Sequence, residues 1–280
     1  KKGFQISGFN AYISTKVISA AGISSSASFE MLICSMMNYF FNDGKMTCAD
    51  YAKIGQYAEN HFWDKASGLM DQMACAVGGP IQLDFSDDVK YEKVNFDFAR
   101  FGYDLVIVNT GKGHADLSRV YSEIPEEMKA VAKVLGGEWL ADCSYEQLLD
   151  HYAEVQKAVG NDRAILRAIH YFEENARVEA AAQAVQENDG KKLLQILDES
   201  GRSSFEFLQN CYPIGDYKEQ QIPLALALTG HYLKEIGDGC CRVHGGGFAG
   251  VIMSIIPKAH TKEYVEYIAR FVGKSNVYPM

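Results

Sequence analysis

The spacing of apolar residues divides the first 111 residues into short extended and helical segments. Residues 3–20 are rich in β-branched and aromatic residues interrupted by glycine, which predicts two strands. Apolar residues at helical spacing then predict a helix over about Ser26–Phe41, a second from a cap at Thr47 to about Phe62, and a third within residues 65–79. Three short apolar or alternating runs follow, PIQLDF, VKYEKVNF and YDLVIVNTG, and each predicts a strand.

The chain becomes mostly helical from about Pro125 to Gly237. The run RAILRAIHYFEENARVEAAAQAVQEN has apolar residues three and four positions apart, a stripe that packs against another helix or a sheet. The segment CCRVHGGGFAGVIMSIIP predicts strands again, and a helix follows from about His260 to Phe271. Strands and helices in two blocks indicate an α+β fold, with a first domain over residues 1–110 and a second over residues 111–280.

The composition narrows the class of protein. A formal net charge of −9 disfavours a nucleic-acid surface, which needs a basic face. No apolar run reaches the roughly 18 residues of a membrane span, and the start KKGFQISGF lacks the apolar core of a signal peptide. The seven cysteines are odd in number and form no CxxC pair. We therefore expect a cytoplasmic protein with reduced thiols and small-molecule partners. The sequence leaves the oligomeric state of the protein open.

The stretch GISSSASFE, Gly22–Glu30, lies where a strand region gives way to a helix. The first turn of a helix presents free backbone N–H groups and partial positive charge, so a glycine and serine turn there suits a phosphate group. The hydroxyls of Ser24, Ser25 and Ser26 add donors to phosphate or acceptors for a magnesium ion. The alternative is a helix start that is merely well capped by serine.

Two further segments carry candidate chemistry. HGGGFAG, His244–Gly250, has four glycines directly before a strand, which permits close backbone approach to a ligand or simply makes a hairpin turn. Between the serine and glycine segments, Asp71 is the acidic residue of an otherwise apolar helix. It is therefore either a surface residue or a working carboxylate, and Glu59 lies twelve residues before it.

These segments together resemble the galactokinases, within the GHMP kinase superfamily. GISSSAS is similar to the family's phosphate-binding motif, usually Gly-Leu-Ser-Ser-Ser-Ala, and SGLMDQMACAVGG is similar to the family's CGIMDQFASAFG. VIVNTGKGHADLSRVY is similar to the strand and loop that end in a sugar-contacting tyrosine, here Tyr121, and RVHGGGFAG to a third motif, usually RMTGGGFGG. The four motifs occur in the family's order, and the resemblance covers nearly the whole chain.

The resemblance implies a role for each matching residue. Asp71 would be the catalytic carboxylate facing the C1 hydroxyl of the sugar, with Gly68 and Tyr121 as further sugar contacts. Ser25 and Glu59 would be magnesium ligands. The residues that would bind the nucleotide phosphates or support their site are Gly22, Ser24, Ser25, Ser26, Gly245, Gly246 and Gly247. Whether Asp71 deprotonates the hydroxyl or only orients it is left open by the sequence.

The implied fold is the two-domain GHMP kinase fold, with a ribosomal-protein-like first domain truncated at its N-terminus and a ferredoxin-like second domain. Galactokinases carry a segment before the first strand seen here, with a sugar-recognition motif and an arginine paired with the catalytic aspartate. Those motifs do not occur in the 280 residues. We therefore expect this chain to be the C-terminal part of such an enzyme and to be inactive by itself.

The implied activity is phosphorylation of a monosaccharide by ATP with Mg²⁺, most directly galactose to galactose 1-phosphate. Two alternatives stay open: a catalytically silent galactokinase-like protein that binds a sugar or nucleotide, and a GHMP kinase for another hexose. The implied partners are a small sugar and ATP, with no nucleic acid and no membrane.

Overall fold

The computed structural model describes residues 2–17, 23–62, 67–86, 88–111, 117–215, 217–248 and 250–280. The chain forms two compact units, one up to Asn95 and one from Phe96 onward. No helix within the described ranges is long and apolar enough to cross a membrane.

The described residues of the first unit form three helices and a small hairpin. Helix α1 is the longest of the three and packs against both of the others. The two hairpin strands are antiparallel, with Ile81 opposite Lys93. The elements are α1 (Ser25–Phe41), α2 (Cys48–Phe62), α3 (Met70–Val77), β1 (Ile81–Asp84) and β2 (Lys90–Lys93). All three helices and both strands agree with the pattern-based predictions.

Local hydrogen bonds explain where α1 ends and α2 begins. The Asp50 N–H donates to Oγ1 of Thr47 (3.1 Å) and the Thr47 N–H donates back to Oδ2 of Asp50 (3.0 Å), a capping box that starts α2. Buried Asn38 exchanges two hydrogen bonds with the backbone of Met46, at 2.9 and 3.1 Å. These contacts fix the turn between the helices and confirm the predicted cap at Thr47.

The two strands predicted between residues 3 and 20 are wrong for the described part, residues 2–17, which forms neither helix nor strand. Residues 18–20 lie outside the described part. An alternating pattern gives a strand only where a neighbouring strand supplies hydrogen bonds, and none of the described strands pairs with this segment. The segment is held instead at Gln5, whose N–H donates to Oδ1 of Asn42 (2.8 Å) and whose carbonyl accepts from Nδ2 of Asn42 (3.0 Å).

The second unit joins a helical block to a four-stranded sheet. Its helices are α4 (Ser118–Val134), α5 (Tyr145–Asp150), α6 (Tyr152–Val159), α7 (Asp162–Gln186), α8 (Gly190–Ser203), α9 (Gln221–Ile236) and α10 (Thr261–Val272). A one-turn π-helix, Ser204–Leu208, directly continues α8. Its strands are β3 (Tyr103–Asn109), β4 (Cys240–His244), β5 (Val251–Pro257) and β6 (Val277–Pro279).

The sheet has the order β4-β5-β3-β6, with every neighbouring pair antiparallel. Along the chain the order is strand, helices, strand, strand, helix, strand. This order of elements and strands is the ferredoxin-like arrangement, which confirms the prediction for the second domain. The main core lies where the sheet packs against α9 and α10, and it includes Val106, Ile252, Tyr232, Tyr264 and Ile268.

The structure divides the chain earlier than the border predicted at residue 110. That border falls at the end of β3, but β3 is hydrogen-bonded along its length to β5 and at its centre to β6. Phe96 and Phe98 also pack on the apolar side of α7 and α8, near Ala184 and Ile196. The compact division therefore lies between Asn95 and Phe96.

Candidate active site

The serine turn begins α1 with an unusual backbone. Ser24 is the residue before the helix and has φ 57° and ψ 42°, the left-handed region that non-glycine residues seldom adopt. Its carbonyl accepts from the N–H of Ser28 at 3.0 Å, but its side chain makes no capping hydrogen bond to the first turn. The alternative that Ser24 is simply a capping serine is therefore not supported. Gly22 lies outside the described residues.

Glu59 forms the centre of a buried polar cluster in the first unit. The side chain is 2% exposed and lies on α2. Its Oε1 accepts from the hydroxyl of Ser26 at 3.1 Å, and its Oε2 accepts from the hydroxyl of Ser67 and, at 3.3 Å, from Nε2 of Gln72. Within the serine turn, Ser26 thus contacts Glu59, and it is the residue after the predicted ligand Ser25.

Gly68 and Asp71 lie beside two residues of this cluster, Ser67 and Gln72. Asp71 is exposed in the first turn of α3, where the positive end of the helix favours an acidic side chain. Among the described residues, no atom would lie within 4 Å of a Cβ at Gly68. The exposed carboxylate of Asp71 can therefore contact a ligand.

The glycine segment of the second unit is a tight turn between β4 and β5. Gly245 and Gly247 have φ of +68° and +78°, which favours glycine. A Cβ at Gly246 would lie 2.7 Å from Cε1 of Tyr121, and a Cβ at Gly247 would lie 2.1 Å from the carbonyl oxygen of Asn210. Both alternatives for this segment are therefore realised in part: it is a hairpin turn, and it is closely approached by neighbouring groups.

Tyr121 is the fourth residue of α4 and packs on this glycine turn. Its hydroxyl donates to the carbonyl of Gly247 at 2.7 Å, and its ring meets the ring of Phe248 edge to face, with centroids 5.2 Å apart. Burial raises the pKa of Tyr121 to about 12. Because its hydroxyl hydrogen is directed to Gly247, Tyr121 in this arrangement can accept a hydrogen bond from a further group.

Sequence reasoning missed four residues that hold these groups. Ser67 and Gln72 contact Glu59, Asn210 contacts the glycine turn, and Arg167 donates to the carbonyl of Leu208, two residues before Asn210. A signal existed for Arg167, because it falls on the apolar stripe of RAILRAIHYF, where a charged side chain needs a buried partner. In the part of the chain described, no three His, Cys, Asp or Glu side chains are grouped so that they alone could hold a metal.

Comparisons with known proteins identify the family that these features resemble. The model of the GHMP kinases N terminal domain matches residues 1–79. The galactokinase of Clostridium tetani is 30% identical over 262 residues, which cover 92% of this chain and 63% of that protein. That of Actinobacillus pleuropneumoniae serotype 3 is 30% identical over 266 residues, covering 95% of this chain and 65% of that protein. The chain thus spans less than two thirds of the length of these two relatives.

Solved structures show the same relationship in the fold. The galactokinase of Lactococcus lactis, complexed with galactose, superposes with a TM-score of 0.76 at 22% identity, over 94% of this chain and 66% of that one. The mevalonate kinase of L. major, in complex with R-mevalonate, gives a TM-score of 0.56 at 11% identity, over 91% of this chain and 64% of that one. The chain therefore has the α+β fold of the GHMP kinases, and the resemblance to galactokinases predicted from its motifs is confirmed.

Proposed function

We propose that this chain is part of an ATP-dependent sugar kinase that converts galactose to galactose 1-phosphate. The observation that carries the proposal is the contact between Ser26, in the first turn of α1, and the buried carboxylate of Glu59. This contact places a hydroxyl and a carboxylate beside the first turn of a helix, where phosphate is favoured. The similarity to galactokinases over 92–95% of the chain supports galactose as the sugar.

The oxygen groups around Glu59 fit a magnesium ion. Mg²⁺ binds oxygen ligands and is typically held by one or two carboxylates together with substrate phosphates. Glu59 would supply the carboxylate, and Ser25 or Ser26 the hydroxyl. When bound, the ion neutralises the negative charge of the phosphate groups. The backbone at Gly22 and the hydroxyl of Ser24 would bind those phosphates, together with the hydroxyl of whichever of Ser25 and Ser26 does not bind the metal.

Asp71 is the proposed catalytic carboxylate. In the reaction the C1 hydroxyl oxygen of the sugar forms a bond to the γ-phosphorus of ATP, and the bond from that phosphorus to the leaving ADP oxygen breaks. Asp71 would orient the attacking hydroxyl or receive its proton. Gly68 and Tyr121 would contact the sugar, and Gly245, Gly246 and Gly247 would support Tyr121.

The domain assignment is part of the same proposal. The predicted border at residue 110 would cut β3 from its sheet, so we assign the unit up to Asn95 to the N-terminal domain of the GHMP kinases and the unit from Phe96 onward to their C-terminal domain. The family match over residues 1–79 supports the first assignment. We also propose the cytoplasm as the place of action. All seven cysteines are free thiols, which suits a reducing compartment.

A combined binding and turnover experiment tests the proposal. It uses the natural protein that contains this sequence, and in parallel residues 1–280 alone. Calorimetry measures affinity for galactose, glucose, mannose and ATP, and ³¹P NMR follows the conversion of ATP and sugar to sugar phosphate. We expect galactose 1-phosphate from the natural protein. We expect no turnover from residues 1–280, since over a third of the length of the matched galactokinases has no counterpart in them.

Each other outcome selects a different function. Binding of galactose without any phosphate transfer by the natural protein would favour a silent sugar-binding protein. Faster transfer to another hexose would favour a kinase of different specificity. Binding of neither sugar nor ATP would overturn the proposal.

A further inference from the structure

Arg167 is a fully buried charge in the helical block of the second unit. Its exposed fraction is 0%, and its neighbours on α7 include the buried side chains of Ile165 and Ala168. A guanidinium group is always charged, so burying one is unfavourable unless its N–H groups have partners. Nη1 of Arg167 donates to Oε2 of Glu127 (2.9 Å), and Nε donates to the carbonyl of Leu208 (3.1 Å).

Leu208 ends the π-helix that continues α8. The next residue, Gln209, has φ 56° and ψ 50°, and its N–H donates to the carbonyl of Ser204 at 2.9 Å. π-helical turns are rare and often occur at functional sites. The hydrogen bond from Arg167 therefore holds the chain at the point where it changes direction, immediately before Asn210.

Asn210 connects this turn to the glycine turn between β4 and β5. Its side chain is 3% exposed, and Nδ2 donates to the carbonyl of Gly246 at 3.2 Å. Its own carbonyl accepts from the N–H of Phe248 at 2.5 Å. The backbone of Gly247 passes so close to Asn210 that a side chain there would clash. Asn210 thus contacts three consecutive residues of the turn.

Tyr121 contacts the same turn from α4. Its hydroxyl donates to the carbonyl of Gly247, and α4 also carries Glu127, the partner of Arg167. Helix α4 is therefore joined to the glycine turn twice, directly through Tyr121 and indirectly through Glu127, Arg167 and Asn210.

We propose that Arg167 and Asn210 are positioning residues, which fix the glycine turn against Tyr121 and so set the position of this proposed sugar contact. Glycine-rich backbone loses more conformational freedom on ordering than any other, so a turn with three consecutive glycines needs contacts that hold it. The buried hydrogen bonds of Asn210 supply them, and Arg167 keeps Asn210 in place. The link to the sugar rests on the proposed function.

The test compares three variants of the natural protein that contains this sequence. Asn210→Ala removes the donor to Gly246, and Arg167→Lys removes the planar group that reaches Leu208 and Glu127 together. Arg163→Lys is the matched control, because Arg163 lies one turn earlier on α7 and also pairs with Glu127, at 3.0 Å from Nε to Oε1, but does not contact Leu208. Hydrogen exchange of peptides covering residues 244–252, urea unfolding and galactose affinity are measured for each.

We expect Asn210→Ala and Arg167→Lys to speed exchange in residues 244–252 and to weaken galactose binding, each by about tenfold, as loss of one buried hydrogen bond implies. Arg163→Lys should match the parent protein in both. Unchanged exchange in the glycine turn, equal effects in the Arg163→Lys control, or faster exchange with unaltered galactose affinity would each overturn the inference. If Arg167→Lys does not fold, Asn210→Ala decides. If the parent protein binds no galactose, the proposed function fails, and the exchange comparison alone decides whether these residues hold the turn.

Discussion

Gln72 donates a hydrogen bond of 3.3 Å from Nε2 to Oε2 of Glu59, and both side chains are 2% exposed. The same carboxylate oxygen accepts from Ser67. Ser67 and Gln72 directly adjoin Gly68 and Asp71, the proposed sugar contact and catalytic carboxylate. The proposed metal ligand is therefore hydrogen-bonded to residues on both sides of the proposed sugar motif.

The first prediction concerns the contribution of the hydrogen bond between Gln72 and Glu59 to the stability of the protein. Gln72→Met keeps the length of the side chain but removes the donor, which leaves a buried carboxylate with one hydrogen bond fewer. We expect the free energy of unfolding in urea to fall by about 1–3 kcal/mol, as for other buried polar groups that lose a partner. The control is Ala74→Met, at an exposed position of the same helix. Equal stability of the two variants would show that the contact contributes nothing.

The second prediction separates the serines of the first turn. Ser26 contacts Glu59, whereas the family motif assigns the metal to Ser25. Because each hydroxyl would bind either the metal or a phosphate, we expect Ser25→Ala and Ser26→Ala both to raise the Mg²⁺ concentration needed for half-maximal nucleotide binding. The larger effect should fall at the metal ligand. Ser28→Ala, in the second turn, is the control and should leave Mg²⁺ dependence unchanged.

The sequence was sufficient to predict most helices and strands, for reasons visible at single residues. The cap at Thr47 and the period of α2 are local signals, and the structure confirms both. The extended pattern of residues 3–20 is also local, but a strand depends on a partner that the pattern does not specify. The division between the two units lies before the predicted border at residue 110 for a similar reason. Strand β3 pairs with β5, almost 150 residues later in the chain, and the local pattern of β3 does not specify that partner.

The residues of the candidate site could be predicted from the sequence where they belong to one contiguous motif. Successive residues of a helix differ by about 100° in direction, so three serines in a row do not reveal which one faces Glu59. Asn210 and Gln72 act through contacts with residues 36 and 13 positions away. No spacing in the sequence encodes such contacts. Only the structure shows them.

The third prediction is a pH effect at Tyr121. Its pKa is raised by burial to about 12, from a usual value near 10. Its contribution to stability is therefore complete below about pH 10 and is lost as the pH rises toward 12. Tyr121→Phe removes both the hydrogen bond to Gly247 and the titrating group, so we expect lower stability at pH 8 and a smaller loss between pH 8 and 11.

The measurement is the free energy of unfolding in urea at both pH values. Tyr152→Phe is the control, since Tyr152 is 45% exposed. A loss between pH 8 and 11 that is the same in Tyr121→Phe as in the parent would exclude Tyr121 as a source of the alkaline instability.

The fourth prediction concerns the outer face of α1. Glu30 is the one charged residue of this helix, and Phe29, Leu32, Tyr39 and Phe40 are 42–78% exposed. A helix that is apolar on all sides is usually covered. We expect residues 1–280 by themselves to self-associate at high concentration, and Leu32→Lys with Phe40→Lys to reduce this. A monodisperse particle of 31.1 kDa by light scattering would contradict the prediction.

The fifth prediction distinguishes an enzyme from a silent binder through Asp71. Asp71→Asn keeps the shape of the side chain and removes its charge, so interactions made only in the transition state are lost while sugar binding is largely kept. In the natural protein that contains this sequence, we expect turnover to fall a hundredfold or more, which corresponds to roughly 2.7 kcal/mol of barrier. The Michaelis constants should change much less.

Because Asp71 is exposed, the melting temperature of the Asp71→Asn variant should stay close to that of the parent protein. Asp43→Asn makes the same change of charge in an exposed turn of the same unit and should leave turnover unaltered. If Asp71→Asn instead lowers the melting temperature and leaves turnover per folded molecule unchanged, Asp71 has a structural role, and the strongest chemical reason for a kinase is removed.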